Sequence, residues 1–131
     1  MTTLLSNNTR RPDVSFHPDG HIDITARIAK MLHLQDGDVI DVAVQNDEYL
    51  LFVSKKAADC TGRHEASVHP TNKGKNHSNN FRAYSSRLCN AVHQVAFPKH
   101  AFEHPARFPA GNPILFGPNG TGIPIITRNP L

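Results

Sequence analysis

This 131-residue chain has little cysteine and no long apolar run. Its two cysteines, Cys60 and Cys89, are too few to cross-link a secreted scaffold, so we expect free thiols in a reducing compartment. No apolar run approaches the roughly 18 residues of a membrane span, and the N-terminus lacks the apolar core of a signal peptide. The composition therefore predicts a soluble, cytoplasmic protein without a membrane partner.

Basic residues are scarce in the first part of the chain and abundant after it. Residues 13–54 hold eight acids and two bases, whereas residues 55–131 hold ten bases and three acids. Arg10 and Arg11 add positive charge near the N-terminus. A polyanion would therefore be attracted to the second half of the chain and to its N-terminal arm.

Residues 56–80 have almost no large apolar side chains and are rich in Thr, Asn, Ser, Gly, Lys and His. Such a stretch cannot bury enough surface to offset the entropy lost on ordering. It predicts a flexible polar linker. Together with a flexible arm at 1–12, this linker divides the chain into a first unit at 13–55 and a second, diverged unit at 81–131 that packs on the first.

The two units repeat one pattern of residues. Segment 24–32 has a counterpart sixty positions later in segment 84–92: a β-type residue, a hydroxylated residue able to cap a helix, a small residue, Arg, and an apolar helical stripe. A glycine turn and an apolar hairpin follow at 37–53 and, after an insertion of about fourteen residues, at 111–127. Each unit predicts a β-β-α-β-β order with one short helix, and each alone is too small for a stable core.

The first unit resembles the AbrB-type swapped-hairpin family of transition-state regulators and antitoxins. The spacing from Gly20 to Asp38 follows the family pattern without a gap. The matching apolar positions are Ile22, Ile24, Ile28, Leu32 and Leu34. The resemblance covers residues 14–54 and extends faintly over 81–128. It implies a mostly β, small swapped-hairpin β-barrel, formed by a pseudo-dimeric monomer or a homodimer, that binds DNA.

At several positions this chain has a residue type that differs from the one common in the family. Asp19 stands where the family commonly has a base before the glycine, and Asp23 stands where it has Thr. Thr25 replaces its proline before the helix, and Ala29 replaces its helical Arg, which leaves Lys30 as the one base of that pair. We therefore expect the DNA-contacting charge to lie in the second unit.

These features predict a DNA-binding transcriptional regulator or antitoxin-like protein. Its basic second half and arm would contact the phosphates of double-stranded DNA, because phosphate contacts supply most of the affinity. The candidate contact residues are Arg10, Arg11, Lys73, Lys75, Arg82 and Arg87. The alternative is a protein–protein interaction or oligomerisation module that does not bind DNA. The acidic first unit and the lost basic positions favour that alternative.

The nine histidines raise a third hypothesis, a metal-binding protein. The linker carries Cys60, His64, His69 and His77, whose spacing matches no standard zinc motif. The other candidates, His17, His21 and His33, are interpreted as surface or rim residues. The sequence therefore predicts neither a metal site nor a cofactor.

Catalysis finds little support in the sequence. Cys89 and His93 share one helix face, which a buried thiol beside an imidazole explains. A nucleophile pair would also need an orienting acid, and Glu103 is the one acid of the second half that is suitably placed. The glycines of segment 117–122 lack the Lys and the following helix of a phosphate loop. We therefore predict no enzyme and no catalytic residues.

Overall fold

The fold is that of a computed structural model, which describes residues 12–60, 64–71, 80–115 and 120–127. Within these ranges the strands are β1 (Val14–Phe16), β2 (His21–Ile24), β3 (Val39–Gln45), β4 (Glu48–Lys55), β5 (His69–Pro70), β6 (Phe81–Tyr84), β7 (Ala106–Phe108), β8 (Ile114–Leu115) and β9 (Thr121–Ile125). The helices are α1 (Ala26–Met31) and α2 (Ser86–Ala96), and a 3-10 turn spans Ala57–Asp59.

The strands form two antiparallel sheets, which confirms the prediction of a mostly β fold. One sheet has the order β5-β6-β2-β1-β7, and the other has the order β3-β4-β9-β8. The prediction of a closed barrel is wrong, because the described strands form two separate sheets that no strand ladder joins. Isolated bridges, Val39 with Ser67 and Ala110 with Ile125, and single loop hydrogen bonds connect neighbouring segments instead. Edge strands of two or three residues, such as β5, β7 and β8, are too short to continue a ladder around a barrel.

The five-stranded sheet has one buried face and one polar face. Its inward residues, such as Phe16, Ile24 and Phe108, are fully buried and form the core together with residues of both helices. Because side chains alternate along a strand, their neighbours project to the other side. We call this side the outer face; its residues are Ser15, His17, His21, Asp23, Arg82, Tyr84 and Arg107.

Strands that occupy equivalent positions in the two sequence repeats form antiparallel pairs. β2 pairs antiparallel with β6 over all four residues of each strand, and β4 pairs antiparallel with β9. The helix starts follow the same relation: the Ser85 amide donates to the Gly20 carbonyl, and the Ala26 amide donates to the Asn80 side chain. Gly20 and Asn80 are themselves sixty positions apart. The two strand–helix segments therefore lie side by side, with their strands antiparallel.

The two helices begin differently. The Ser85 hydroxyl accepts from the Leu88 amide at 3.0 Å, which satisfies one of the free amides at the start of α2. Thr25, whose hydroxyl could cap α1, makes no such bond; its Oγ1 is buried without a partner among the described residues. In α1 the Asn80 side chain supplies the oxygen instead, from a distant part of the chain.

Part of the predicted linker belongs to the packed fold. In residues 64–71 the Val68 side chain is fully buried, Ala66 is nearly so, and β5 pairs with β6. The Gly37 amide donates to the Val68 carbonyl, and the Val68 amide donates to the Asp38 carbonyl. The adjoining strands thus supply backbone partners to this segment, and its two small apolar residues are buried in the core. Residues 61–63 and 72–79 lie outside the described residues.

Neither described helix is long and apolar enough to cross a membrane.

Candidate functional site on the outer face

The described residues include two of the six predicted DNA-contact residues, Arg82 on β6 and Arg87 at the second position of α2. The other four lie outside the described residues: Arg10, Arg11, Lys73 and Lys75. Each of the two described arginines is held by a different carboxylate, so the structure does not bring them together as free cations.

Arg82 lies on the outer face beside an acid of the neighbouring strand. Its Nε donates to Asp23 Oδ1 at 2.7 Å, and the two residues are direct cross-strand partners. Hydrogen bonding to this carboxylate raises the pKa of Arg82 above its ordinary value. A hydrogen bond with Tyr84 adds to this effect, and the Arg82 side chain remains 42% exposed.

Arg87 binds the acid that precedes the buried Ala66. Its Nη2 and Nε donate to Glu65 Oε1 at 2.8 and 3.1 Å, and the Ser85 hydroxyl donates to Oε2 of the same carboxylate. The hydrogen bonds from Arg87 and then from Ser85 lower the pKa of Glu65. The pair is exposed to solvent, with 88% of the Arg87 side chain accessible, so a competing anion could reach it.

A second group of candidate side chains on the outer face includes two histidines whose sequence pattern indicated only surface or rim positions. The β1–β2 turn places His17 opposite His21, with the His17 amide donating to the His21 carbonyl and the Gly20 amide donating to the His17 carbonyl. The two imidazoles stack with ring centroids 3.6 Å apart. Asp23 follows two residues later on the same face, so the three side chains converge.

Two neighbouring groups orient these three side chains. Asp19 Oδ1 lies 2.5 Å from His21 Nδ1 and also accepts from the His21 amide, and that backbone bond is the main reason for the lowered pKa of Asp19. Because Asp19 is an acceptor, we place the His21 proton on Nδ1, which leaves a lone pair on Nε2. That Nε2 lies 3.5 Å from Asp23 Oδ2.

His17 completes the group. Its Nε2 is buried and lies 3.1 Å from Asp23 Oδ2, but it makes no aligned hydrogen bond among the described residues. Burial lowers the pKa of His17, and His21 adds to this effect, whereas Asp23 and Asp19 oppose it. The lowered pKa favours the neutral imidazole, which is the form that binds metals.

The three ligand atoms of His17, His21 and Asp23 lie within 4.8 Å of one another, the one such metal-competent group found among the described residues. A spacing of four and two residues across a tight turn was the signal that could have revealed it. An alternation of polar residues next to Pro18-Asp19-Gly20 places all three on one face of a hairpin.

The metal-site alternative in the linker is only partly assembled. Cys60, His64 and His69 line one open groove, in which His69 Nδ1 lies 2.5 Å from Asp36 Oδ1 and the Cys60 thiol donates to the Lys56 carbonyl. Their ligand atoms do not converge as those of the outer-face group do. His77 lies outside the described residues.

Cys89 and His93 are occupied by packing contacts. Burial raises the pKa of the Cys89 thiol to about 11, and its Sγ lies 3.6 Å from the His21 carbonyl. The His93 ring stacks on Phe102 at 4.3 Å between centroids. A thiol with so high a pKa is a poor nucleophile near neutral pH.

No family model matches this chain, and no similar curated protein or solved structure is found.

Proposed function

We propose that this protein is a DNA-binding regulator or antitoxin-like protein whose single chain supplies both halves of a pseudo-dimer. The observation that carries the proposal is the antiparallel pairing of β2 with β6, strands that occupy equivalent positions of the repeat. Two-fold proteins match the symmetry of a palindromic duplex, since each half meets the same local surface of DNA. The resemblance of residues 14–54 to the AbrB-type family gives independent support.

The repeat also relates two arginines. Arg27 and Arg87 are sixty positions apart, and each is the second residue of its helix. Arg27 Nη2 lies 3.1 Å from Asp13 Oδ2. In the same way, Arg87 Nη2 lies 2.8 Å from Glu65 Oε1. Both side chains are at least half exposed. In each pair the carboxylate competes with DNA phosphate for the guanidinium, and the exposure of the arginine side chain allows a phosphate to reach it.

The salt dependence of DNA binding, and its response to removal of the arginines or of a competing carboxylate, test the proposal. Fluorescence anisotropy of the full chain with random duplex DNA, at about 50 and 200 mM salt, should show affinity falling by two or more orders of magnitude if several phosphates are contacted. Arg82→Ala combined with Arg87→Ala should lower the slope of log affinity against log salt by about 2. Glu65→Gln should strengthen binding, because it frees Arg87 from its competitor.

Lys99→Ala is the matched control, since Lys99 is an exposed base outside both repeat segments. It should leave the affinity and the salt slope unchanged. Absence of binding at the lower salt concentration, or a weaker affinity for Glu65→Gln, would reject the assignment.

The second candidate is an interaction module, favoured by apolar residues on edge strand β8. Ile114 is 39% exposed and Leu115 is 88% exposed, on a strand that ends the described sheet. An apolar edge strand can pair with a second copy of the chain through its backbone. This function predicts concentration-dependent association in analytical ultracentrifugation that is insensitive to salt and is lost in Leu115→Lys.

A further inference from the structure

We propose that His17, His21 and Asp23 bind a first-row transition-metal dication, for which Zn²⁺ is the natural probe. The site lies on the outer face of the five-stranded sheet and does not depend on DNA binding. Two imidazoles and one carboxylate form a donor set that such ions take readily, with further positions left for water or another ligand.

The convergence of the lone pairs is the first argument for the site. Asp19 Oδ1 accepts a hydrogen bond from the proton-bearing Nδ1 of His21. Nε2 of the same ring therefore faces Asp23 Oδ2 at 3.5 Å. Nε2 of His17 faces the same oxygen at 3.1 Å without an aligned hydrogen bond. Three potential ligand atoms therefore lie within 4.8 Å of one another, and both imidazole nitrogens face the same carboxylate oxygen.

The second argument is that each ligand on β2 has its own supporting contact. Metal-binding histidines commonly donate their other ring nitrogen to a carboxylate, and the Asp19–His21 pair has this arrangement. Arg82 Nε donates a hydrogen bond to Asp23 Oδ1 at 2.7 Å, which leaves Oδ2 directed at both imidazoles. These contacts restrict the rotation of His21 and Asp23, so little ordering is required when the ion binds.

Binding requires one adjustment. In a tetrahedral zinc site with Zn–N distances of about 2.1 Å, two ligand nitrogens lie about 3.4 Å apart. Parallel rings stacked at 3.6 Å direct their lone pairs side by side, so at least one ring must tilt towards the ion. His17 is the ring able to do so, because its Nε2 has no aligned hydrogen bond to hold it within the described structure. The partly exposed Asp23 leaves the site open to solvent.

The test uses the full chain without an affinity tag, treated with chelator and then freed of it. Titration with Co²⁺ should give ligand-field absorption bands that saturate at one equivalent, and Zn²⁺ should displace them. His17→Ala and His21→Ala should abolish this binding. Asp19→Asn retains every ligand and should weaken the affinity about 10- to 100-fold, as expected for loss of a supporting carboxylate.

Two further variants distinguish this site from the remaining histidines and from the linker groove. His104→Ala, an exposed histidine outside the cluster, should leave the titration unchanged. Cys60→Ser with His69→Ala removes two potential ligands of the groove. Loss of binding in that double variant with retention in His17→Ala would overturn the proposal, and so would no cobalt spectrum in the folded wild-type chain. Circular dichroism of each variant excludes unfolding as the cause, and the DNA titration is a separate measurement whose failure does not affect this one.

Discussion

Asp38 is a fully buried carboxylate at the turn before β3. Its Oδ1 accepts from the Ala57 amide at 2.8 Å, and its Oδ2 accepts from the Gln35 amide at 2.9 Å. Lys56 Nζ lies 3.5 Å from the same Oδ2. One side chain thus joins the start of the β3–β4 hairpin to the segment that follows it, and both backbone donors depend on it.

We expect Asp38→Ala to lower the free energy of unfolding by about 3 kcal/mol, because it leaves two amides and an ammonium without their acceptor. Urea denaturation followed by circular dichroism measures this. Asp41→Ala, on the exposed side of β3, is the control and should change stability by less than about 0.5 kcal/mol. A loss below about 1 kcal/mol for Asp38→Ala would show that water replaces the carboxylate.

At the scale of elements, the turn between β1 and β2 packs closely on the start of α2. Gly20 has φ +97°, and a Cβ there would lie 2.6 Å from Ser86 Oγ and 3.3 Å from the Ser86 amide nitrogen. Two constraints therefore act on this glycine: a left-handed backbone and a contact with the other half of the repeat. Gly120 shares only the first, with φ +83° and no atom of the described residues within 4 Å of its Cβ position.

Alanine substitutions of the two glycines measure the stability cost of each constraint separately. Gly120→Ala should cost about 1 kcal/mol of stability, from the backbone conformation alone. Gly20→Ala should cost about 1–3 kcal/mol more, because the methyl group overlaps Ser86. Thermal and urea unfolding of both variants would measure the difference. Ser86→Gly in the Gly20→Ala background should recover part of it, and equal losses for the two alanines would contradict the packing described.

Local elements follow well from the sequence because they depend on neighbours along the chain. The alternation in β1 and β2 and the capped stripe of α2 are such cases. β7, a three-residue strand between Pro105 and Pro109, carries no comparable pattern. It exists because β1 presents an edge to it and because Phe108 is fully buried in the core. Short strands of this kind depend on their partner, not on propensity.

At the scale of the whole molecule, stability should depend on pH through His17. Its pKa in the fold is lower than the ordinary 6.5, mainly because of burial, so the unfolded chain binds its proton first as the pH falls. Stability contributed by the neutral ring is therefore present above about pH 6.5 and decreases below it. The titratable groups that act on the His17 ring are His21, Asp19 and Asp23 on the turn and β2, and the Cys89 thiol on α2 lies against the His17 backbone.

Urea unfolding between pH 7.5 and about 5 should show this decrease, with a slope that corresponds to uptake of less than one proton. His17→Gln should flatten that part of the profile and leave the contributions of the acids at lower pH. An unchanged slope in His17→Gln would assign the proton to another group. Saturating Zn²⁺ should steepen the wild-type profile, because the ion competes with protons for the imidazoles.

The amino-acid sequence by itself determined the mostly β character, the two strand–helix segments and the charge difference between the halves, since periodicity and composition act over short distances. Only the tertiary structure decided which charges neutralise each other and which side chains converge. Arg82 meets Asp23 across a ladder between strands 59 residues apart, and the edges of the two sheets remain open where a barrel would close. These outcomes depend on register and on strand length, and both are settled only when distant segments of the chain pack together.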